Sequence, residues 1–196
     1  MNKMKETIMR KCRESMEQKE KFFEDNAEEI IRLAEDMAKA FNRGNKLLVM
    51  GNGGSACDAM HVAVEFLHPI IEKRRPLPAI ALNTDMATIT AIGNDKDFSM
   101  VFHDQIKMLG KEGDMALGIS TSGKSPNIVR ALRAAKQMGI MTIAFAGKDG
   151  GQMPEVADHC FVVPSFSIHR IQETQETLLH IMWDMIHVVM GEEDII

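Results

Sequence analysis

The sequence has no tyrosine, one tryptophan and only three cysteines in 196 residues. Cys12, Cys57 and Cys160 are odd in number, far apart and in no CxxC arrangement, which argues against a disulfide framework or a zinc site made of thiolates. No stretch approaches the roughly 18 apolar residues of a membrane span, and the first residues contain no apolar signal core. We therefore expect a cytoplasmic protein that does not contact a membrane.

An excess of charge of one sign is also missing, because 23 basic and 28 acidic side chains leave a formal net charge of −5. This balance gives no general reason to expect nucleic acid or an anionic membrane as a partner. The run EKRR at 72–75 is a local basic spot, which we interpret as a solvated loop. With 45% apolar residues, the chain is long enough for one domain, 1–196, with a proper core.

Apolar side chains recur at helical spacing in residues 3–43, which predicts an extension of two N-terminal helices with a break near Asp25 and Asn26. Downstream, short apolar runs alternate with helical patterns. The predicted strands are 47–50, 79–82, 115–119, 141–146 and 160–163, and the predicted helices are 54–67, 84–93, 98–109, 125–138 and 168–190. This alternation predicts an α/β fold, a three-layer sandwich in which helices cover both faces of a parallel sheet.

Ligands of such sheets bind beyond the carboxyl ends of the strands, where three turns carry informative side chains: GNGGS at 51–55, IGNDKD at 92–97 and STSGKS at 120–125. The third turn carries four hydroxyls around the start of a predicted helix. They belong to Ser120, Thr121, Ser122 and Ser125. A helix cap needs one hydroxyl, and the N–H groups of a helix N-terminus favour an anion. We therefore predict a bound phosphate at this turn.

Two nucleotide-binding patterns match formally, and we disfavour both. The first turn fits G-x-G-x-x-G/A, but Glu72, at the distance expected for a ribose contact, lies in a charged loop and not at a strand end. The run GISTSGKS fits the P-loop pattern, but Pro126 follows it at once and Gly118 falls inside a strand. No later strand ends in the aspartate expected to hold magnesium. We interpret Lys124 as a turn residue that faces solvent.

His61 and Glu65 are four residues apart, so they share a helix face about 6 Å apart along the axis. Such a pair can hold a metal ion, or the carboxylate can orient the imidazole; an ordinary surface pair is the alternative. The closing helix carries Gln172, His180 and His187 among apolar residues. Gln172 and His180 share one side of that helix but lie about 12 Å apart along it. Helices that meet at a subunit interface would bring them to one ion more easily.

The segments GNGGSACDAMHVAVE, AIGNDKDF, GISTSGKSPN, GKDGG and RIQETQETLLH occur in order along nearly the whole chain. Together they resemble the bacterial phosphoheptose isomerases of the sugar isomerase (SIS) family. The resemblance implies a flavodoxin-like SIS fold, and a homotetramer with active sites at subunit interfaces and one zinc ion per subunit. It also implies an aldose–ketose isomerase that converts sedoheptulose 7-phosphate to D-glycero-D-manno-heptose 7-phosphate through an enediol. That reaction is the first step towards ADP-heptose and the lipopolysaccharide core.

The resemblance also implies roles for individual residues. The zinc ligands fall on His61, Glu65, Gln172 and His180. The substrate contacts fall on Asn52, Gly53, Gly54, Ser55, Glu65, Asn94, Asp95, Ser120, Thr121, Ser122, Ser125 and Gln172. Glu65 is the expected base and His180 its acid partner. The chain departs from the family pattern at Gln175, where histidine is common, and at His169, where some members have aspartate; both departures bear on the tuning of the site.

Two questions stay open at this level. Some SIS proteins of this size are non-catalytic binding modules, including a factor that associates with the bacterial replication initiator. Those relatives lose metal-site residues, whereas all four are present here, which favours the enzyme. A carboxylate that firmly ligates zinc is also a poorer base, so Glu65 could be base, ligand or both.

Overall fold

The sheet has five parallel strands in the order β2-β1-β3-β4-β5, in a computed structural model that describes residues 3–70 and 73–194. The strands are β1 (Leu47–Gly51), β2 (Ala79–Ala81), β3 (Met115–Ser120), β4 (Met141–Gly147) and β5 (His159–Val163). All five predicted strands are confirmed to within a residue. The strand order reverses between β1 and β3, which pair directly from Leu47 and Met115 to Gly51 and Ile119. The turns that follow these two strands therefore emerge side by side at the carboxyl edge.

Seven α-helices, counted over the described residues, surround the sheet. They are α1 (Lys3–Asn42), α2 (Gly54–Leu67), α3 (Met86–Asp95), α4 (Val101–Leu109), α5 (Pro126–Gln137), α6 (Met153–Val156) and α7 (Ile168–Val189), with a 3-10 turn at Phe98–Met100. The sequence pattern missed α6, because four residues are too few to show a helical period. None of these helices has the length and apolarity that crossing a membrane requires.

Alternate residues of β1, β3, β4 and β5 contribute to two separate apolar clusters, one on each face of the sheet, whereas β2 contributes to one of them. Leu47 and Val49 pack in the cluster that includes residues of α1, α2 and α7. Leu48 and Met50 pack in the cluster that includes residues of α4, α5 and α6. Burial on both faces is the reason that the strands appear in the sequence as continuous apolar runs. The predicted three-layer α/β arrangement is confirmed.

The N-terminal segment is one helix of 40 residues, so the predicted break near Asp25 and Asn26 is wrong. The Asn26 side-chain amide donates to the carbonyl of Phe22, 2.7 Å away, and this bond lies within the helix instead of ending it. From Phe22 onward, one face of α1 joins the core. In the first half of α1, Met9 and Met16 are exposed. The predicted extension therefore packs on the sheet through its second half.

Part of the basic run at 72–75 is buried. Glu72 lies outside the described residues, and Lys73 is exposed as predicted. Arg74 is only 4% exposed, forms an ion pair with Asp184 and lies 4.6 Å from the ring centroid of Trp183. A guanidinium tolerates burial when a carboxylate neutralises it and an aromatic face covers it. The interpretation of this run as a solvated loop is therefore wrong for Arg74.

Candidate active site

Paired asparagine side chains join the turns after β1 and β3. Asn52, directly after β1, exchanges two amide hydrogen bonds with Asn127, near the start of α5, at 2.9 and 2.8 Å. Asn83 accepts from the Gly51 N–H at 3.2 Å and donates to the Gly51 carbonyl at 2.7 Å. The end of β1 is thus held from two sides. Sequence reasoning missed Asn83 and Asn127, because their partners lie 32 and 75 residues away.

The glycine turn brings α2 into contact with α7. Gly53 has a φ of +58°, a backbone conformation that glycine adopts readily, and α2 begins at the next residue. A Cβ atom on Gly54 would overlap the Nε2 atom of Gln172 on α7, so a larger residue would displace the end of the Gln172 side chain. Two predicted substrate contacts, Gly54 and Gln172, therefore touch. Ser55 is buried, and its role in substrate binding stays a prediction.

The hydroxyl turn is the segment 120–125 at the end of β3, and the residue at the N-cap of α5 does not cap the helix with its side chain. Ser120 Oγ lies 2.9 Å from Ser125 Oγ and 3.5 Å from Ser122 Oγ. Ser125 occupies the N-cap of α5, but its side chain forms no capping bond to the described chain. Its hydroxyl approaches Ser120 instead, beside the N-terminus of α5. A cluster of hydroxyls at the positive end of a helix dipole is suited to hold an anion.

The GKDGG turn at 147–151 packs directly on the hydroxyl turn. The Gln152 N–H donates to the Gly123 carbonyl at 2.8 Å, and a Cβ on Gly123 would overlap the Gly150 carbonyl. Lys124 Nζ lies 3.3 Å from Asp149, and the Lys124 side chain is 60% exposed. The interpretation of Lys124 as a solvent-facing turn residue is confirmed. A P-loop would instead direct this lysine at the phosphates of a nucleotide, so the P-loop alternative loses support.

His61 is the centre of a polar cluster between α2 and α7. Its Nε2 atom lies 3.2 Å from Glu65 Oε1, its Nδ1 atom lies 2.8 Å from Glu176 Oε1, and its ring centroid lies 5.0 Å from that of His180. Ligand atoms of His61, Glu176 and His180 all lie within 4.8 Å of one another. Of the predicted metal residues, His61 and His180 belong to this group, Glu65 contacts His61, and Gln172 lies two turns before His180 along α7.

Sequence reasoning missed two acidic residues of this cluster, Glu176 and Asp58. A signal was available, since Glu176 lies four residues before His180 and Asp58 lies three before His61, on the same helix faces. Burial raises the pKa of Asp58 to about 6; the Glu176 carboxylate adds to the rise, and His61 opposes it. Asp58 Oδ2 is buried and lacks a hydrogen-bond partner among residues 3–70 and 73–194. Carboxylates crowded around imidazoles are a suitable environment for a cation.

Other predicted positions lie apart from this cluster. Asn94 and Asp95, at the end of α3, are exposed and hydrogen-bonded to each other at 2.7 Å, and their substrate contacts stay predictions. Gln175 is buried behind the site and donates to a carbonyl of β4 at 3.1 Å. His187 is fully buried further along α7, 3.0 Å from Glu192, and desolvation lowers its pKa.

Known proteins resemble this chain over almost its whole length. A model of the SIS domain matches residues 12–147. The phosphoheptose isomerase of Thermodesulfovibrio yellowstonii is 46% identical over 189 residues, which covers 96% of this chain and 94% of that protein. The chain belongs to the phosphoheptose isomerase family. The phosphoheptose isomerase of Aquifex aeolicus is 44% identical, with 96% of this chain and 99% of that protein covered. A solved phosphoheptose isomerase from Francisella tularensis has a TM-score of 0.90 at 36% identity, with 96% of this chain and all of that chain covered.

For a member of the phosphoheptose isomerase family, the two parts of the site suit two parts of one substrate. The hydroxyl turn suits a phosphate, which does not react. The cluster around His61 contains groups that can bind a cation or transfer protons. The pairing of β1 with β3 and the bonds between Asn52 and Asn127 hold the two parts together.

Proposed function

We propose that the protein is an aldose–ketose isomerase that converts sedoheptulose 7-phosphate to D-glycero-D-manno-heptose 7-phosphate through an enediol. One observation carries the proposal: His61 and Glu65 lie on the helix that leaves the glycine turn, and Asn52 of that turn is bonded to Asn127 at the start of α5, directly after the hydroxyl turn. The identity of 46% and 44% to two phosphoheptose isomerases supports the same reaction. We further propose that the product supplies ADP-heptose for the lipopolysaccharide core and that the protein acts in the cytoplasm.

Glu65 is the proposed base, and His180 is the proposed acid partner. The isomerisation moves a proton between C1 and C2 and shifts hydrogen between O1 and O2, so it needs a group for each task. The Glu65 side chain is 15% exposed, and its Oε1 atom faces His61. We assign Oε2, its second carboxylate oxygen, to the carbon-bound proton. His180 is exposed, and its ring lies beside that of His61, where it can exchange a proton with a substrate oxygen.

His61, Glu65, Gln172 and His180 are the proposed zinc ligands. Ligand atoms at the corners of a tetrahedron with bonds of about 2.0 Å lie about 3.3 Å apart, and the distance from His61 Nε2 to Glu65 Oε1 is 3.2 Å. Histidine nitrogens and carboxylate oxygens are donors that zinc prefers, so the donor types of His61, Glu65 and His180 fit the ion, and Gln172 would contribute its amide oxygen. When bound, zinc would polarise the substrate carbonyl as a Lewis acid.

Apolar side chains that remain exposed support a homotetramer with active sites at subunit interfaces. Met60, Val64 and Leu67 lie at helical spacing on α2 and are exposed next to the proposed ligands. Ile8 and Met16 are exposed on the first half of α1. Apolar surface of this kind marks sites of protein–protein contact, and a further copy of the chain would cover it. An interface along α2 would also enclose the site.

We expect the purified protein to produce aldoheptose 7-phosphate from sedoheptulose 7-phosphate. A chelator is expected to abolish the reaction, and added zinc is expected to restore it, because a bound metal would polarise the carbonyl. Chromatographic separation of the two sugar phosphates measures both outcomes, with fructose 6-phosphate as the comparison substrate. A lack of product in the presence of zinc would contradict the proposal and favour a non-catalytic binding module.

We expect Ser125→Ala to raise KM about tenfold or more and to change kcat little. The lost hydroxyl would contact a charged group that does not react, and such a hydrogen bond contributes about 1.5–3 kcal/mol. Steady-state kinetics with sedoheptulose 7-phosphate measures the effect. Ser167→Ala is the matched control, because Ser167 is the N-cap of α7 and its side chain also forms no capping bond to the described residues. An unchanged KM in Ser125→Ala would remove the phosphate role.

A further inference from the structure

We propose that Glu176 is a positioning residue for His61. Its carboxylate accepts the Nδ1–H of the imidazole and so presents the Nε2 lone pair to the zinc site. The inference rests on the proposed function only in taking His61 as a zinc ligand. It adds a residue of α7 that orients a ligand of α2, and it assigns a tautomer to the ring.

The two contacts of His61 with carboxylates differ in length. The distance from Nδ1 to Glu176 Oε1 is 2.8 Å, within the range of about 2.7–2.9 Å for a charge-assisted hydrogen bond. Two zinc ligand atoms would lie about 3.3 Å apart, as the 3.2 Å from Nε2 to Glu65 Oε1 does. Both contacts are within hydrogen-bond range, and the one at Nδ1 is the shorter, so we place the proton on Nδ1 and leave Nε2 for the metal. Ligand atoms of His61, Glu176 and His180 lie within 4.8 Å of one another, so direct ligation by Glu176 is the alternative that the test below must exclude.

The tautomer matters because a neutral imidazole carries one proton. Glu65 alone would favour that proton on Nε2, where it would block the atom that must bind zinc. Glu176 on the opposite side favours the proton on Nδ1. A carboxylate behind a histidine ligand fixes the ring and raises its basicity, and its loss typically weakens metal binding 10–100-fold.

Glu176 is better placed for this role than the other acidic neighbour, Asp58. The Glu176 side chain is 40% exposed, so its charged form keeps contact with water. Asp58 Oδ2 forms no hydrogen bond within residues 3–70 and 73–194, whereas Glu176 Oε1 lies 2.8 Å from the Nδ1 atom of His61. Glu176 also lies one turn from Gln172 and one turn from His180. It therefore links the orientation of His61 to both proposed ligands on α7.

We expect Glu176→Ala to weaken zinc binding 10–100-fold. Glu176→Gln keeps an oxygen acceptor without the charge, so we expect a smaller loss. The dissociation constant for zinc, measured by competition with a chromophoric chelator, tests both variants without any sugar. Glu155→Gln, which removes one exposed carboxylate on α6, is the matched control, with an unchanged constant. Thermal melting checks that each variant is folded.

Two spectroscopic measurements separate orientation from direct ligation. In nitrogen-15 spectra of the metal-free protein, we expect His61 to carry its proton on Nδ1, and we expect Glu176→Ala to move it towards Nε2. In X-ray absorption of the protein at saturating zinc, we expect the same number of ligands in the unaltered protein and in Glu176→Ala. The loss of one oxygen ligand in that variant would overturn the proposal in favour of direct ligation.

Other results would also overturn it. They are an unchanged zinc affinity in Glu176→Ala, or a failure of the unaltered protein to bind zinc. A protein that binds zinc in the expected way and yet does not convert sedoheptulose 7-phosphate would sink the proposed function and leave the role of Glu176 intact. The two proposals therefore fail on different measurements.

Discussion

Glu65→Gln is expected to lower kcat by about 10²–10⁴-fold, because the amide cannot accept the carbon-bound proton. The amide keeps the shape of the side chain and an oxygen that can face His61, so the chain is expected to fold. Steady-state kinetics with sedoheptulose 7-phosphate at saturating zinc measures the loss of the base apart from any weakening of the metal site.

Glu35→Gln is the control for Glu65→Gln. This substitution removes the same charge from an exposed position on α1. Its kcat should match that of the unaltered protein. Substantial activity in Glu65→Gln, with normal melting, would sink the assignment of Glu65 as the base. It would leave the same residue as a candidate ligand, which the zinc content of the variant would then decide.

Arg74→Ala is expected to lower the free energy of unfolding by about 3–5 kcal/mol, because it leaves a buried partner charge uncompensated. The Arg74 side chain is 1% exposed and that of Asp184 is 14% exposed, so water cannot replace the lost guanidinium well. The variant also loses the cation–π contact with Trp183. Since whole domains are stable by about 5–15 kcal/mol, the loss is a large part of the total. Denaturant unfolding at a fixed protein concentration measures it.

The next residue supplies the control for Arg74. Arg75→Ala removes the same kind of charge from an exposed position, where Glu192 lies 4.0 Å away. Exposed ion pairs contribute about 0–1 kcal/mol, so little change is expected. Arg74→Met combined with Asp184→Leu should recover most of the stability, since it removes both buried charges. A loss below about 1 kcal/mol in Arg74→Ala would contradict the buried-pair interpretation.

The fold was predictable because burial acts on each strand locally. A strand covered on both faces needs mostly apolar residues, so β1, β3 and β4 appear as nearly continuous apolar runs. The error in α1 has a physical cause. Asp25 and Asn26 are often found where helices end, but here Asp25 pairs with Lys21 at 3.0 Å and Asn26 bonds to Phe22, both one turn earlier.

The candidate site was predictable where its residues share an element, and not where they meet across elements. His61 and Glu65 are four residues apart, and the sequence shows that spacing directly. Glu176 meets His61 only because α7 packs beside α2. Arg74 meets Asp184 from 110 residues away, so its charge could not be read as buried. Contacts between residues so far apart in the sequence form only when the layers pack together. A local sequence pattern carries no information about that packing.

The direct pairing of β1 with β3 also determines when the site can exist during folding. The two strands are neighbours in the sheet, yet 68 residues separate Lys46 from Asp114, whose side chain accepts the Lys46 N–H at the start of this pair. Bringing the ends of so long a segment together costs chain entropy before the stabilising contacts have formed. Such long-range pairings therefore form slowly. A chain that has formed its helices but not this pairing would contain both turns and no site. Catalytic competence is therefore a late property of folding, even though every group that it uses lies in a simple local motif.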